Sequence, residues 1–272
     1  MKTSSLYSEK WNRELLVAEI KKNLGKALDG GRSARVFFRA DDIGVPGKNL
    51  TGLLELFRRH EAPLCLALVP AWLTPDRWRA LKKTAGGTGE SWCWHQHGWR
   101  HVNHEAEGKK QEFGPSRDRD RQRHDLSAGK SRLSEICGPD FFPVFTPPWN
   151  RCSSITLELL VEFGYTAISR SREKTTPAPG GPPDYLVNVD LHTRKEKEPS
   201  LARENLFAEL RESLAGGLCG IMIHHQGMND PAFELLDVLL RELSLCPGIQ
   251  FVDFRNLVRV QAGSGREEAR SL

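Results

Sequence analysis

Eight short apolar runs punctuate the chain, at 35–40, 64–69, 91–95, 142–145, 166–169, 185–189, 220–224 and 250–253. Most are hydrophobic at nearly every position, as strands covered on both faces must be; a half-exposed strand would alternate. Helical periodicity fills several of the intervals. Leu53, Leu54, Leu56 and Phe57 share a stripe in 50–60, Ile155, Leu159, Leu160 and Phe163 do so in 153–163, and 233–245 gives a third such helix. Strands alternating with helices require a parallel sheet, because parallel neighbours cannot be joined by a tight turn. The expected class is therefore α/β, a barrel or an open sheet, preceded by an amphipathic helix over 11–27.

Length and composition set the frame. The 272 residues suit one large α/β domain, expected over 1–262, with a frayed tail at 263–272. Hydrophobic content of 39% and a charged fraction of 27% are ordinary for a globular chain and exclude wholesale disorder. No window reaches membrane-spanning length and the N-terminus lacks a secretory apolar core, so a cytoplasmic protein is expected. The net charge of +4 is spread out, and in 117–123 acids alternate with bases, which reads as a solvated helix face. No nucleic-acid partner is expected. Six widely spaced cysteines without a C-x-x-C pair read as reduced, buried apolar residues. Two stretches break the βα rhythm and read as loops on the binding face: 105–124, which can continue into a helix, and the Pro- and Gly-dense 174–184.

The residues able to do chemistry gather at the ends of apolar runs. Asp41 and Asp42 follow 35–40, and in a parallel sheet the C-terminal strand ends form the active face. If strand conformation persists, the two carboxylates point to opposite sides, so one can hold a metal while the other meets a water. The plainer alternative is a turn in which Asp42 caps the next element. His95, His97, His101 and His104 crowd one stretch. His97 and His101 are four apart, so on a helical turn both imidazoles share one side, a spacing that suits two ligands to one ion such as zinc; His95 with His97 and His101 with His104 are rival pairs. His224 and His225 close the run 220–223, and alternation lets only one face a site; His224 is preferred because it directly ends the run. Its chemistry would be proton donation to a leaving group. Pro147 and Pro148 stiffen the loop after 142–145, and Trp149 offers a flat apolar face for a sugar ring, unless its indole is buried as barrel closure. Pro148, Trp149 and Asn150 are the expected substrate contacts.

In order, the strand-end Asp41–Asp42, the His97-x-x-x-His101 pair, the Pro147–Pro148 loop and the run ending in His224 resemble the polysaccharide deacetylase family, the NodB-like carbohydrate esterases. The resemblance covers about 35–230 and implies a distorted (β/α) barrel of about seven parallel strands that removes acetyl groups from N-acetylated sugars with a divalent ion, commonly zinc. It further implies Asp41 as general base, Asp42, His97 and His101 as metal ligands, and His224 as general acid. Two departures stand out. Thr146 replaces the arginine that orients the base in this family, leaving that task to Arg39, to Arg151 or to nothing. The family's Asp and Trp pairing has no clear counterpart, although Asp190 and His192 lie near the expected place.

Three functions fit these residues: a deacetylase acting on an N-acetylated sugar or saccharide conjugate, a metal-dependent amidohydrolase acting on a small non-sugar amide, and a barrel that binds carbohydrate without turnover. Retention of two carboxylates, two spaced histidines and a strand-end histidine disfavours the third, which has no need of an acid and a base beside a metal. A pocket lined by Trp149 with Trp94 or Trp99 would point to a sugar ring.

Overall fold

The computed structural model describes residues 3–86, 91–171 and 180–268. Eight strands form one parallel sheet: β1 (Ala34–Ile43), β2 (Leu64–Leu68), β3 (Trp92–His97), β4 (Phe141–Thr146), β5 (Ala167–Ile168), β6 (Val189–Asp190), β7 (Leu218–Ile223) and β8 (Ile249–Phe251). Their order is β5-β4-β3-β2-β1-β7-β6, with β8 added to β1. β7 runs along Arg35–Ala40 on one edge of β1, so β8 at Ala34–Val36 and β2 from Arg39 onward share the other. The sheet curls back on itself. Residues 183–187 bond to β5 and its extension, through Ile168 N to Pro183 O, Tyr185 N to Ile168 O and Val187 N to Arg170 O, while Asn188 and Leu191 bond to β7. One segment thus links the two ends of the path and makes a distorted barrel.

The expected run 185–189 is therefore extended chain that spans the seam, with regular strand only at Val189–Asp190. Helices cover the outside: α1 (Arg13–Ala27), α2 (Lys48–Arg59), α3 (Pro75–Ala85), α4 (Arg119–Cys137), α5 (Ser154–Glu162), α6 (Pro199–Ala215), α7 (Asp230–Ser244) and α8 (Phe254–Glu268). Two apolar layers result. Leu50, Leu53, Leu54, Phe57, Leu236, Leu239 and Leu240 pack with Phe38, Leu64, Leu66 and Ile221 between helices and sheet, whereas Phe37, Cys65, Cys93, Val144, Met222 and Phe254 belong to a second cluster.

Where the sequence pattern misled, the reason is visible. The charged stretch 105–124 is loop as far as 118 and then continues into α4; the buried positions of that helix are Gln122, Leu126, Gly129, Leu133 and Cys137, a helical spacing in which only two residues are strongly apolar. Gln122 is satisfied inside the protein, donating to Gly114 and Arg117 carbonyls and accepting from the Ser153 and Thr156 hydroxyls. Arg119 and Arg123 on its outer face pair with Glu158 and Glu162 of α5. α3 and α6 carry start signals that periodicity alone passes over, Pro75 behind the capping Thr74 and Pro199 at the first turn. α8 runs from Phe254 to Glu268. The Pro- and Gly-dense stretch lies outside the described residues up to 179. All six cysteines are free thiols; Cys65, Cys93, Cys137 and Cys219 are buried, whereas Cys152 and Cys246 are only partly so. No described helix is long and apolar enough to cross a membrane.

Candidate metal centre

Parallel strands bring β1, β3, β4 and β7 to a common end, and the chemistry-bearing residues meet there. Near its end β1 carries a bulge: Ala40 and Ile43 oppose Leu66 and Leu68, so one extra residue sits on β1, and Asp42 takes φ 62. The alternation expected of Asp41 and Asp42 therefore fails. Both carboxylates are buried and both feel His97 and His224.

Asp42, His97 and His101 offer ligand atoms that all lie within 4.8 Å of one another. His97 Nε2 is 3.3 Å and His101 Nε2 3.1 Å from Asp42 Oδ1, a buried oxygen that accepts no aligned hydrogen bond. His97 Nδ1 lies 2.9 Å from the Thr146 carbonyl. A carbonyl can only accept, so the ring proton belongs on Nδ1 and the Nε2 lone pair faces Asp42, an orientation common to metal-binding histidines. Burial works against charge on both groups. It is outweighed for Asp42, where the His101 and His97 imidazoles hold the carboxyl well below its ordinary range, and for His97, which Asp42 and Asp41 raise above its ordinary value. This donor set favours positive charge at its centre and fits a divalent cation held by one carboxylate and two imidazoles.

The helical turn expected for His97 and His101 is absent. His97 is the last residue of β3, and His101 follows on a loop that bends at Gly98 (φ 57) and at His101 itself (φ 60). Of the rival histidines, His95 is buried with Nε2 3.0 Å from Thr146 Oγ1, and burial beside Arg39 pushes its pKa down to about 3, so it is a neutral structural residue. His104 is exposed. Thr146 thus supplies its carbonyl to one histidine and its hydroxyl to the other.

Asp41 is gripped by Arg39, two residues back on β1: Nε to Oδ1 and Nη2 to Oδ2, each 2.8 Å. Arg39 also donates to Ser169 O, Ser169 Oγ and Asn150 Oδ1 (2.6 Å), inside the barrel. Burial opposes ionisation of Asp41, but the Arg39 guanidinium beside it, with His97 and His224, keeps its carboxyl below the usual value. Of Arg39 and Arg151, Arg39 is the one that reaches Asp41; Arg151 makes no hydrogen bond through its side chain among the described residues.

His224 follows β7 and is half-buried, whereas His225 is buried, its pKa lowered to about 4 by burial despite the attraction of Asp42. The His224 amide donates to His192 Nδ1 (3.2 Å). Asp190 turns instead to its own loop, accepting from the amides of His192 and Thr193 and from the Thr193 hydroxyl. Trp149, half-buried at φ 56, lies with its ring 4.5 Å from that of His101, and Trp72 reaches the same imidazole at 5.8 Å. Pro148 is buried against Gly98, and Asn150 turns inward to Arg39. Trp94 packs on Trp78 in the core; it is Trp72, not singled out by the sequence, that stands beside His101 with Trp149. Glu112, also passed over, is wholly buried and accepts from the amides of Trp99 and Arg100.

This arrangement can be set beside known proteins. A protein of Mycobacterium smegmatis assigned as a polysaccharide deacetylase superposes with a TM-score of 0.63 at 17% identity, over 87% of this chain and 93% of its own. One from Pseudomonas aeruginosa PAO1 with the same assignment gives 0.59 at 14%, over 86% and 92%. The chain has the fold of the polysaccharide deacetylases. A carbohydrate esterase family 4 pseudoenzyme of Bacillus anthracis, in mutant form, shares the polysaccharide deacetylase fold too, with 0.53 at 13% over 84% and 67%. Fold alone therefore does not separate active from inactive barrels, and the side chains of the centre must. No family model and no curated protein matches the sequence.

Proposed function

We propose that the chain is a divalent-metal-dependent hydrolase that removes an acetyl group from an N-acetylated sugar or a saccharide conjugate. The observation that carries this reading is the convergence of Asp42, His97 and His101 on one point, with a second carboxylate, Asp41, held ionised beside them. An ion bound there supplies Lewis acidity toward an acyl oxygen and lowers the pKa of water, and the mixed carboxylate and imidazole set with open positions suits zinc.

The remaining work falls to the chain's own residues. Asp41 accepts the proton released by the attacking water; its tie to Arg39 fixes its direction and keeps it an anion. A carboxylate so stabilised is a weak base, so its contribution is placement more than basicity. His224 gives a proton to the departing nitrogen, its backbone held by His192. Trp149 and Trp72, flanking His101, present flat apolar faces on which a pyranose ring can lie. Pro148 and Asn150 hold that wall, one against Gly98 and the other through Arg39.

Acetate release from a panel of N-acetyl sugars, measured alongside elemental analysis, tests the reading. Asp41→Asn should lose hydrolysis and keep metal, whereas His97→Ala and His101→Ala should lose both. Full activity in metal-free protein, or unchanged activity in Asp41→Asn, overturns it.

A further inference from the structure

Most backbone polar groups of the segment between the two imidazoles have partners inside the protein. The Gly98 amide donates to the Thr146 carbonyl (3.2 Å), the Gly98 carbonyl accepts from Gln96 Nε2 (2.9 Å), and the Trp99 carbonyl accepts from the Ala71 amide (3.0 Å). Two amides remain, those of Trp99 and Arg100, and both donate to one carboxylate: to Glu112 Oε2 at 3.0 Å and Oε1 at 2.6 Å. Consecutive amides following a left-handed residue form a concave nest that fits an anion. Gly98, at φ 57, opens this one.

Glu112 fills the nest completely. Its exposure is 0%, and a Cβ on Gly98 would lie 2.1 Å from Oε2, so the glycine and the carboxylate occupy adjoining space with no room between them. No ion pair reaches this carboxylate among the described residues. Burying a carboxylate without a cation is costly, and on an ordinary surface loop water would serve the same two amides. The loop here ends in His101, whose Nε2 must stay near Asp42 Oδ1.

We propose that Glu112 is a positioning residue for the metal centre: by filling the nest between His97 and His101 it fixes the His101 ring so that an ion meets three preset ligands. The proposal rests on the metal-centre reading above and adds to it a residue that touches neither ion nor substrate. A merely structural role would lower thermal stability and leave the metal affinity of the folded protein alone.

Zinc affinity of the chelator-stripped full chain, measured by competition with a chromophoric chelator, separates the two. Glu112→Gln keeps shape and one acceptor while turning an amide NH₂ toward a backbone N–H; its zinc Kd should weaken by about tenfold to a hundredfold, as for residues that orient ligands in other metal sites. Glu112→Asp keeps the charge but shortens the reach, and should weaken zinc binding in the same direction; it carries the test if Glu112→Gln does not fold. Unchanged zinc affinity in a folded variant overturns the proposal and leaves the proposed function standing. A wild-type chain that takes up no zinc overturns both.

Discussion

Arg39→Met removes a cation from the barrel interior while nearly conserving length and apolar volume. Arg39 and Asp41 are both almost fully buried, and their two bonds are each 2.8 Å. Breaking a buried pair from one side leaves the other charge uncompensated, which costs about 3–5 kcal/mol. The Asn150 and Ser169 acceptors also lose their donor, adding about 1–3 kcal/mol. A loss of at least about 4 kcal/mol is expected, a large share of the roughly 5–15 kcal/mol that holds a domain folded. Adding Asp41→Asn to Arg39→Met removes the stranded charge and should restore at least about 2 kcal/mol, so the two changes are strongly non-additive. Urea denaturation of wild type, both single variants and the double variant, followed by tryptophan fluorescence at pH 7 with chelator present, measures the cycle. Neutral pH is the right window: a carboxyl held below its ordinary value contributes fully above about pH 4 and loses that contribution only as pH falls through the lowered value. A loss below about 1 kcal/mol in Arg39→Met, or a double variant no more stable than that single one, refutes the argument that Arg39 exists to hold Asp41.

Gly98→Ala should cost about 2 kcal/mol or more in thermal unfolding, because its Cβ would fall 2.5 Å from Pro148 Cγ at a backbone φ of 57, and an unshifted Tm would contradict the packing described for this loop. Zinc at a hundred times its Kd should stabilise the wild type by about 2.7 kcal/mol, an increment that Asp42→Ala should abolish in the same melt. His192 is buried, and burial together with the neighbouring His224 lowers its pKa to about 3; the unfolded ring binds a proton near pH 6.5 and the folded ring does not, so stability falls as pH falls. Between pH 7.5 and 5 this ring should account for about 2 kcal/mol of lost stability, a slope that disappears in His192→Asn and is read by denaturation at the two pH values.

The parallel sheet was legible because buried parallel strands have nothing to alternate with: the runs at 35–40, 64–69 and 220–224 read as strands covered on both faces, and they are, whereas closure into a barrel was implied only by the family resemblance. The candidate ligands were visible in outline, since strand-end aspartates and clustered histidines are the residue types a metal centre uses, but the choice of Asp42, His97 and His101 among them came from the family resemblance. The extent of α4 was not legible, because beside Leu126 and Leu133 its inward face carries Gln122, Gly129 and Cys137, and the burial of a residue such as Gln122 depends on partners far along the chain, among them Thr156.

Sequence by itself determined the alternation of elements and the supply of carboxylate and imidazole at strand ends. Only the folded chain decided which of them meet. The bulge at Asp42 turns two successive carboxylates toward the same histidines, the Gly98 bend with Glu112 behind it replaces a helical turn that spacing had suggested, and Arg39 reaches Asp41 along its own strand where position 146 holds a threonine. Each is a matter of backbone dihedrals and of distance between residues remote in the chain, and periodicity encodes neither.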